Sequence, residues 1–231
     1  SFLADPANRE VFTSLEKLCY KHERWNAAMK LYQSAIDLVE SGASRAYRLG
    51  DLYARRGQVQ LQYLGELDSA AASYVKVVEI DPENDTSVKF LESIYSQKSD
   101  WSGLIGVYEK RASLTRDDER RLESQRRAAR VAAAKMRDFG EAARLYQHIL
   151  DIDPSDTEAL DALERWYERN QDWAKLVDVL RHRLSAAPAG DAATTLLRRI
   201  AQISEEGLRD EGRAVEHYQR ILEIAPANKE A

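Results

Sequence analysis

Only one cysteine, Cys19, occurs in the 231 residues, which excludes an internal disulfide. No run of about 18 apolar residues is present, so nothing in the sequence reads as a membrane-spanning helix, and no charged-then-apolar leader opens it. Glycine and proline are scarce, at ten and five residues, which excludes a linker-like or low-complexity chain. Basic residues are in deficit, 34 Lys and Arg against 39 Asp and Glu, and a net charge of -5 argues against a general polyanion binder, because nucleic-acid affinity rests on neutralising phosphates. Also missing are a Gly-rich phosphate loop, a metalloprotease His-Glu-x-x-His and a nucleophile elbow. The four histidines, His22, His148, His182 and His217, stand at non-equivalent points without the spacing of a ligand set. These absences leave a non-enzymatic reading with no cofactor, no metal and no small-molecule substrate.

What the sequence does have is a repeat. Asp5-Pro6, Asp81-Pro82, Asp153-Pro154 and Ala225-Pro226 recur at spacings of 76, 72 and 72 residues. Trp25, Trp101 and Trp173 each follow twenty residues after the Asp of their unit, so a second, rare residue type confirms the register. A period of this size identifies a stacked architecture. Within each unit the apolar residues fall at steps of three and four, the period of a helix, over two helix pairs. The units run 5–80, 81–152 and 153–224, and the whole chain, 1–231, reads as one all-α solenoid of about six helix-turn-helix repeats and about twelve helices. The last residues, Ala225-Pro226-Ala227-Asn228, match Asp5-Pro6-Ala7-Asn8, as expected of a piece of a longer array.

The repeated positions resemble the tetratricopeptide repeat family. Leu49-Gly50 and Tyr53 match its helix A pattern; Ala70, Ala142 and Ala214 match its small residue in helix B; Tyr74, Tyr146 and Tyr218 match its aromatic, and Pro82, Pro154 and Pro226 its closing proline. The resemblance covers essentially the whole chain. It implies a right-handed superhelix whose A helices line a concave surface, and a protein-interaction scaffold or adaptor.

Two departures set expectations. Glu16, Glu92 and Glu164 fall where helix A normally has a small residue; a buried carboxylate needs a partner, so a register shifted by one residue is expected there. From Gly50 to Ala70 there are 20 residues, against 13 from Ala129 to Ala142 and from Ala201 to Ala214, which predicts a seven-residue insertion forming a protruding tip near residues 58–68. The recurring tryptophans begin the second helix of each odd repeat and read as packing residues; the equivalent even positions carry Leu67, Phe139 and Glu211, of which Glu211 breaks the apolar pattern, so the last repeat is expected to be the loosest packed.

Eight of eleven tyrosines occupy family core positions, and Tyr20, Tyr47 and Tyr63 are left over. On the register the resemblance implies, Tyr20 and Tyr47 face the concave groove and Tyr63 lies in the expected insertion. Rigid aromatics are good interface anchors. The same projection puts Lys17, Lys21, Arg55, Lys89, Arg126, Arg130, Arg165, Arg169 and Arg198 on or near that surface, opposed by Asp51 among others. The expected partner is another protein, a peptide or helix of acidic character, held across the first three repeats, with no nucleic acid and no membrane insertion. A regulatory or docking segment of a larger enzyme remains open, as does an RNA-binding helical repeat. The expected location is cytoplasmic, and the excess of Arg over Lys, 24 to 10, points to a GC-rich bacterial source.

Overall fold

The computed structural model describes residues 8–188 and 190–225. Asp5-Pro6, Pro226 and Asn228 of the repeated turn, and Ala189, lie outside the described residues. All regular structure among the described residues is helical, in twelve segments: α1 (Arg9–Lys21), α2 (Trp25–Glu40), α3 (Leu49–Val59), α4 (Leu67–Ile80), α5 (Asp85–Lys98), α6 (Trp101–Leu114), α7 (Asp118–Val131), α8 (Phe139–Ile152), α9 (Thr157–Arg169), α10 (Trp173–Ala186), α11 (Asp191–Gln202) and α12 (Glu211–Ile224). Odd-numbered helices are the A helices and even-numbered the B helices of six repeats. The helices group into two compact units, one ending at Ser124 and the other beginning at Gln125.

In the first unit consecutive helices pack in hairpins over a core that includes Phe12, Tyr32, Ile36, Leu52, Leu91 and Ile94. In the second unit the same arrangement buries Leu145, Ile149, Leu163, Leu176, Leu180 and Leu197. The B helices begin at Trp25, Leu67, Trp101, Phe139, Trp173 and Glu211, the positions the repeat assigns them. Asp100, Asp138, Asp172 and Asp210 cap four of these starts by accepting a backbone N–H three residues on. The tryptophans pack as expected. Trp25 stacks on Tyr63 at 3.8 Å between centroids. Trp173 lies on the backbone of Gly207, where a Cβ would come within 2.7 Å of the ring. Cys19 is buried, and that burial pushes its thiol up, away from the reactive thiolate.

The expected register shift is not present. Tyr32 donates its hydroxyl to Glu16 at 2.7 Å, and Tyr108 donates to Glu92 at 2.7 Å, each pair 16 residues apart. In the second repeat the equivalent tyrosine, Tyr74, meets Gly57, whose Cβ would stand 3.1 Å from the ring. Glu16 and Glu92 therefore occupy the small-residue position itself, and the tyrosine hydroxyl partners the carboxylate. Where the third odd repeat has Leu180 in place of that tyrosine, Glu164 is bridged by Arg183 and Arg199 instead.

The even repeats carry the extra residue. Their A helices end in a π-helical turn, at Gln60–Leu64, Ala132–Met136 and Ile203–Gly207. The closing bonds Glu66 N–H to Gln60 O (2.8 Å), Asp138 N–H to Ala132 O (3.1 Å) and Asp210 N–H to Ser204 O (2.8 Å) each span six residues. The odd repeats close over five, from Arg24 to Cys19, Asp100 to Tyr95 and Asp172 to Tyr167.

The seven-residue insertion is likewise overturned. Gly57, not Gly50, is the small residue of α3, and Gly57 to Ala70 is the same 13-residue step as Ala129 to Ala142 and Ala201 to Ala214. Residues 58–68 form the ordinary turn from helix A to helix B within a repeat. The real irregularity lies earlier, since Trp25 to Leu67 spans 42 residues whereas Trp101 to Phe139 and Trp173 to Glu211 span 38. The excess is taken up by a longer α2 and by a loop over 41–48, against three residues between α6 and α7.

Gly57→Leu forces a branched side chain into contact with Tyr74 and Ser73 and is expected to cost about 1–3 kcal/mol in denaturant unfolding; undiminished stability would show that the close approach is dispensable. His217 is buried at the position held by Leu145 and Ser73 one and two units earlier, and neither ring nitrogen meets a partner among the described residues. Burial, then Arg181 and Arg220, push its imidazole below the ordinary value, so it folds neutral. The unfolded chain then binds the proton more readily, and stability is lost as pH falls below about 6.5. His217→Leu should flatten the decline in Tm between about pH 7.5 and 5.5; an unchanged slope would remove His217 from that role.

Candidate functional site

The loop over 41–48 helps to build a cationic cleft in the first unit. Ser44 anchors it, donating its N–H to Leu38 O at 3.2 Å and accepting from Ala46 N–H at 3.0 Å. Tyr47 lies against Phe12 with centroids 4.9 Å apart, half-buried on the core. The loop and the facing parts of α1 and α3 enclose a cleft of about 420 Å³ whose charged lining is Arg9, Arg45, Arg48, Arg55 and Asp51. Arg55 donates to Glu16 at 2.6 Å, so its charge is already answered. Arg9, Arg45 and Arg48 are exposed and form no ion pair among the described residues. Tyr47, Asp51 and Arg55 line this cleft together, with three further arginines around them.

A second aromatic group forms where α1 and the end of α3 meet. Tyr20 stands edge-on to Trp25 at 5.2 Å and to Tyr63 at 5.9 Å, and Tyr63 is 43% exposed. Lys17 and Lys21 flank Tyr20 on α1 at positions three back and one on, both exposed. Tyr63 therefore sits in a regular π turn, as the ring that covers Trp25, and not in an insertion. Lys89 is exposed on α5.

Arg126 and Arg130 do something different. Arg126 donates through Nε (2.7 Å) and Nη2 to one oxygen of Asp156, whose side chain is 2% exposed and also caps α9 by accepting from Ala159 N–H at 2.8 Å. Arg130 forks onto Glu158 at 2.7 and 2.5 Å. That guanidinium holds the Glu158 carboxyl below its usual range, and burial with Glu158 pushes Tyr146 up to about 12. Both arginines tie the end of α7 to the start of α9 inside the second unit. Arg9, Arg45 and Arg48 were not among the expected residues; the signal that marks two of them is the four-residue excess between Trp25 and Leu67.

Among the described residues no group of three His, Cys, Asp or Glu side chains is placed to hold a metal, and no helix is long and apolar enough to cross a membrane. Tetratricopeptide repeat profiles match residues 50–84, 87–122 and 159–192. The chain thus carries tetratricopeptide repeats over these three stretches. These matches begin within or beside α3, α5 and α9, in phase with the A helices defined by the Tyr32–Glu16 and Tyr108–Glu92 contacts. No curated protein matches the sequence. Similar solved structures include a tetratricopeptide repeat protein from Parabacteroides merdae (16% identity, 99% of this chain and 84% of that one, TM-score 0.37). Others are MamA from Desulfovibrio magneticus (14%, 78% and 97%, 0.35) and YrrB, described as a tetratricopeptide repeat protein with an unusual peptide-binding site (15%, 85% and 93%, 0.36).

Arg126→Ala strips a buried carboxylate of its cation and is expected to destabilise the protein by about 3 kcal/mol, whereas Arg130→Ala, at a pair more open to water, should cost about 1 kcal/mol or less. Urea unfolding of the two variants tests the ranking; equal losses would contradict it.

Proposed function

We infer that this chain is a protein-interaction repeat domain, a reading supported by its tetratricopeptide repeats. We propose that the cleft between α1 and α3 binds an acidic segment of a partner protein that runs, extended or helical, across the first three repeats. The observation that carries this reading is the set of three exposed guanidiniums, Arg9, Arg45 and Arg48, without an ion pair among the described residues, around half-buried Tyr47, with Asp51 the one carboxylate among the described lining residues. Guanidinium forks suit carboxylates, and a cationic cleft in a chain of net charge -5 steers an acidic segment to one place. Tyr47 supplies apolar contact at the cleft. Tyr20 and Tyr63, with Lys17 and Lys21 beside them, extend the same chemistry toward the other end of α1, and Lys89 continues it on α5. Arg126 and Arg130, held by Asp156 and Glu158 inside the second unit, take no part in this cleft. The role is scaffolding in the cytoplasm, without nucleic-acid binding.

The test is capture from the source lysate by the wild-type chain and by an Arg45→Glu/Arg48→Glu variant of equal helicity, followed by titration of the captured protein. The expected result is a partner weakened at least tenfold by charge reversal, and weakened in the wild type as ionic strength rises from about 0.05 to 0.5 M. A partner bound equally by both proteins and insensitive to salt would overturn the assignment.

A further inference from the structure

The 72-residue repeat lets one part of the molecule serve as a template for another. In the first unit Phe90 of α5 stacks on Tyr74 of α4, with centroids 4.8 Å apart and planes at 16°. One period later the tyrosine is kept, as Tyr146 of α8, but the phenylalanine is replaced by Ala162 of α9. The structure leaves the space of the missing ring open. A pocket of about 290 Å³ lies there, bounded by Tyr146, Ala162, Ala142 and Ala143, with Phe139 and Trp166 stacked along one side at 5.3 Å. Phe139 is 41% exposed, although it occupies a position that reads as a packing residue. The volume exceeds the roughly 150 Å³ cavity that takes up benzene in a protein interior.

Charge selects what surrounds the ring. Arg165 and Arg169, one turn apart on α9, stand at the mouth of the pocket and are exposed. Arg165 Nε donates to the backbone oxygen of Asp161 at 3.0 Å, and neither guanidinium forms an ion pair among the described residues. At the template position the corresponding residues of α5 are Ser93 and Gln97, which are uncharged. A change that empties an aromatic site is therefore accompanied by the arrival of two cations at its edge.

We propose that this pocket between α8 and α9 receives an aromatic side chain of a partner segment, seated over Tyr146 as Phe90 is seated over Tyr74, with flanking carboxylates of that segment on Arg165 and Arg169. The proposal shares with the preceding one only the premise that the array binds protein segments. It concerns the second unit, and its test does not depend on the cleft at Tyr47.

The probe is the capped tripeptide acetyl-Glu-Phe-Glu-amide, with acetyl-Glu-Ala-Glu-amide as its control, titrated into the full chain and followed by two-dimensional NMR. The expected result is saturable shifts at Ala133, Ala142, Ala143 and Ala162 with the aromatic peptide, at least tenfold weaker with the control. Ala162→Phe restores the template ring and is expected to abolish these shifts while leaving the protein folded; Ala162→Leu serves the same purpose should the larger ring disturb packing. Arg165→Gln/Arg169→Gln is expected to weaken binding several-fold and to remove its salt dependence. Equal binding of the two peptides, shifts confined to other sites, or undiminished binding by a folded Ala162-filled variant would each overturn the proposal.

Discussion

Everything in the array depends on the contact between one aromatic residue of helix B and one position of helix A. That position must be small, or it must carry a group that the tyrosine can satisfy. Gly57 meets the first condition, and Glu16 and Glu92 meet the second by accepting the tyrosine hydroxyl at 2.7 Å. Leu180 removes the hydroxyl and two arginines take over the carboxylate of Glu164. The energetic logic is that of any buried polar group: partnered it holds two helices in one register, and unpartnered it costs about 1–3 kcal/mol. Solvent-facing ion pairs such as Lys76–Glu79 add little by comparison.

The helices, their order and the starts of all six B helices were legible in the sequence, because Trp, Ala and Pro recur at fixed offsets and each has one physical reason to be there. The small residue of α3 was not. Gly50 and Gly57 are seven residues apart, two turns of helix, so both project on the same stripe and periodicity cannot choose between them. The choice is made by Tyr74, which closes on Gly57. The carboxylate positions were misjudged for a related reason. A glutamate on an apolar stripe looks unsatisfied in one dimension, while its partners, Tyr32 and Arg55, lie 16 and 39 residues away and are brought in only by folding.

Candidate site residues were legible to differing degrees. Tyr47, Asp51 and Arg55 could be grouped because they share one helix and the loop that leads into it. The arginines that distinguish the cleft, Arg45 and Arg48, sit in the segment whose length departs from the repeat. Projection onto a helix face also cannot tell a free guanidinium from one spent on a neighbour. Arg126 and Arg130 lie on an A helix, yet Asp156 and Glu158 hold them, and Asp156 is at once the counter-charge of Arg126 and the cap of α9.

The wide turn that ends α3, α7 and α11 has a consequence for how such a chain can change length. Repeats with and without the additional residue alternate, so adjacent repeats are not interchangeable parts. Loss of one repeat would place two A helices of the same kind in succession and mismatch the turn each presents to its neighbour. Duplication or deletion in blocks of 72 residues keeps every wide turn beside a narrow one. Change by pairs therefore preserves the alternation, whereas loss of a single internal repeat breaks it.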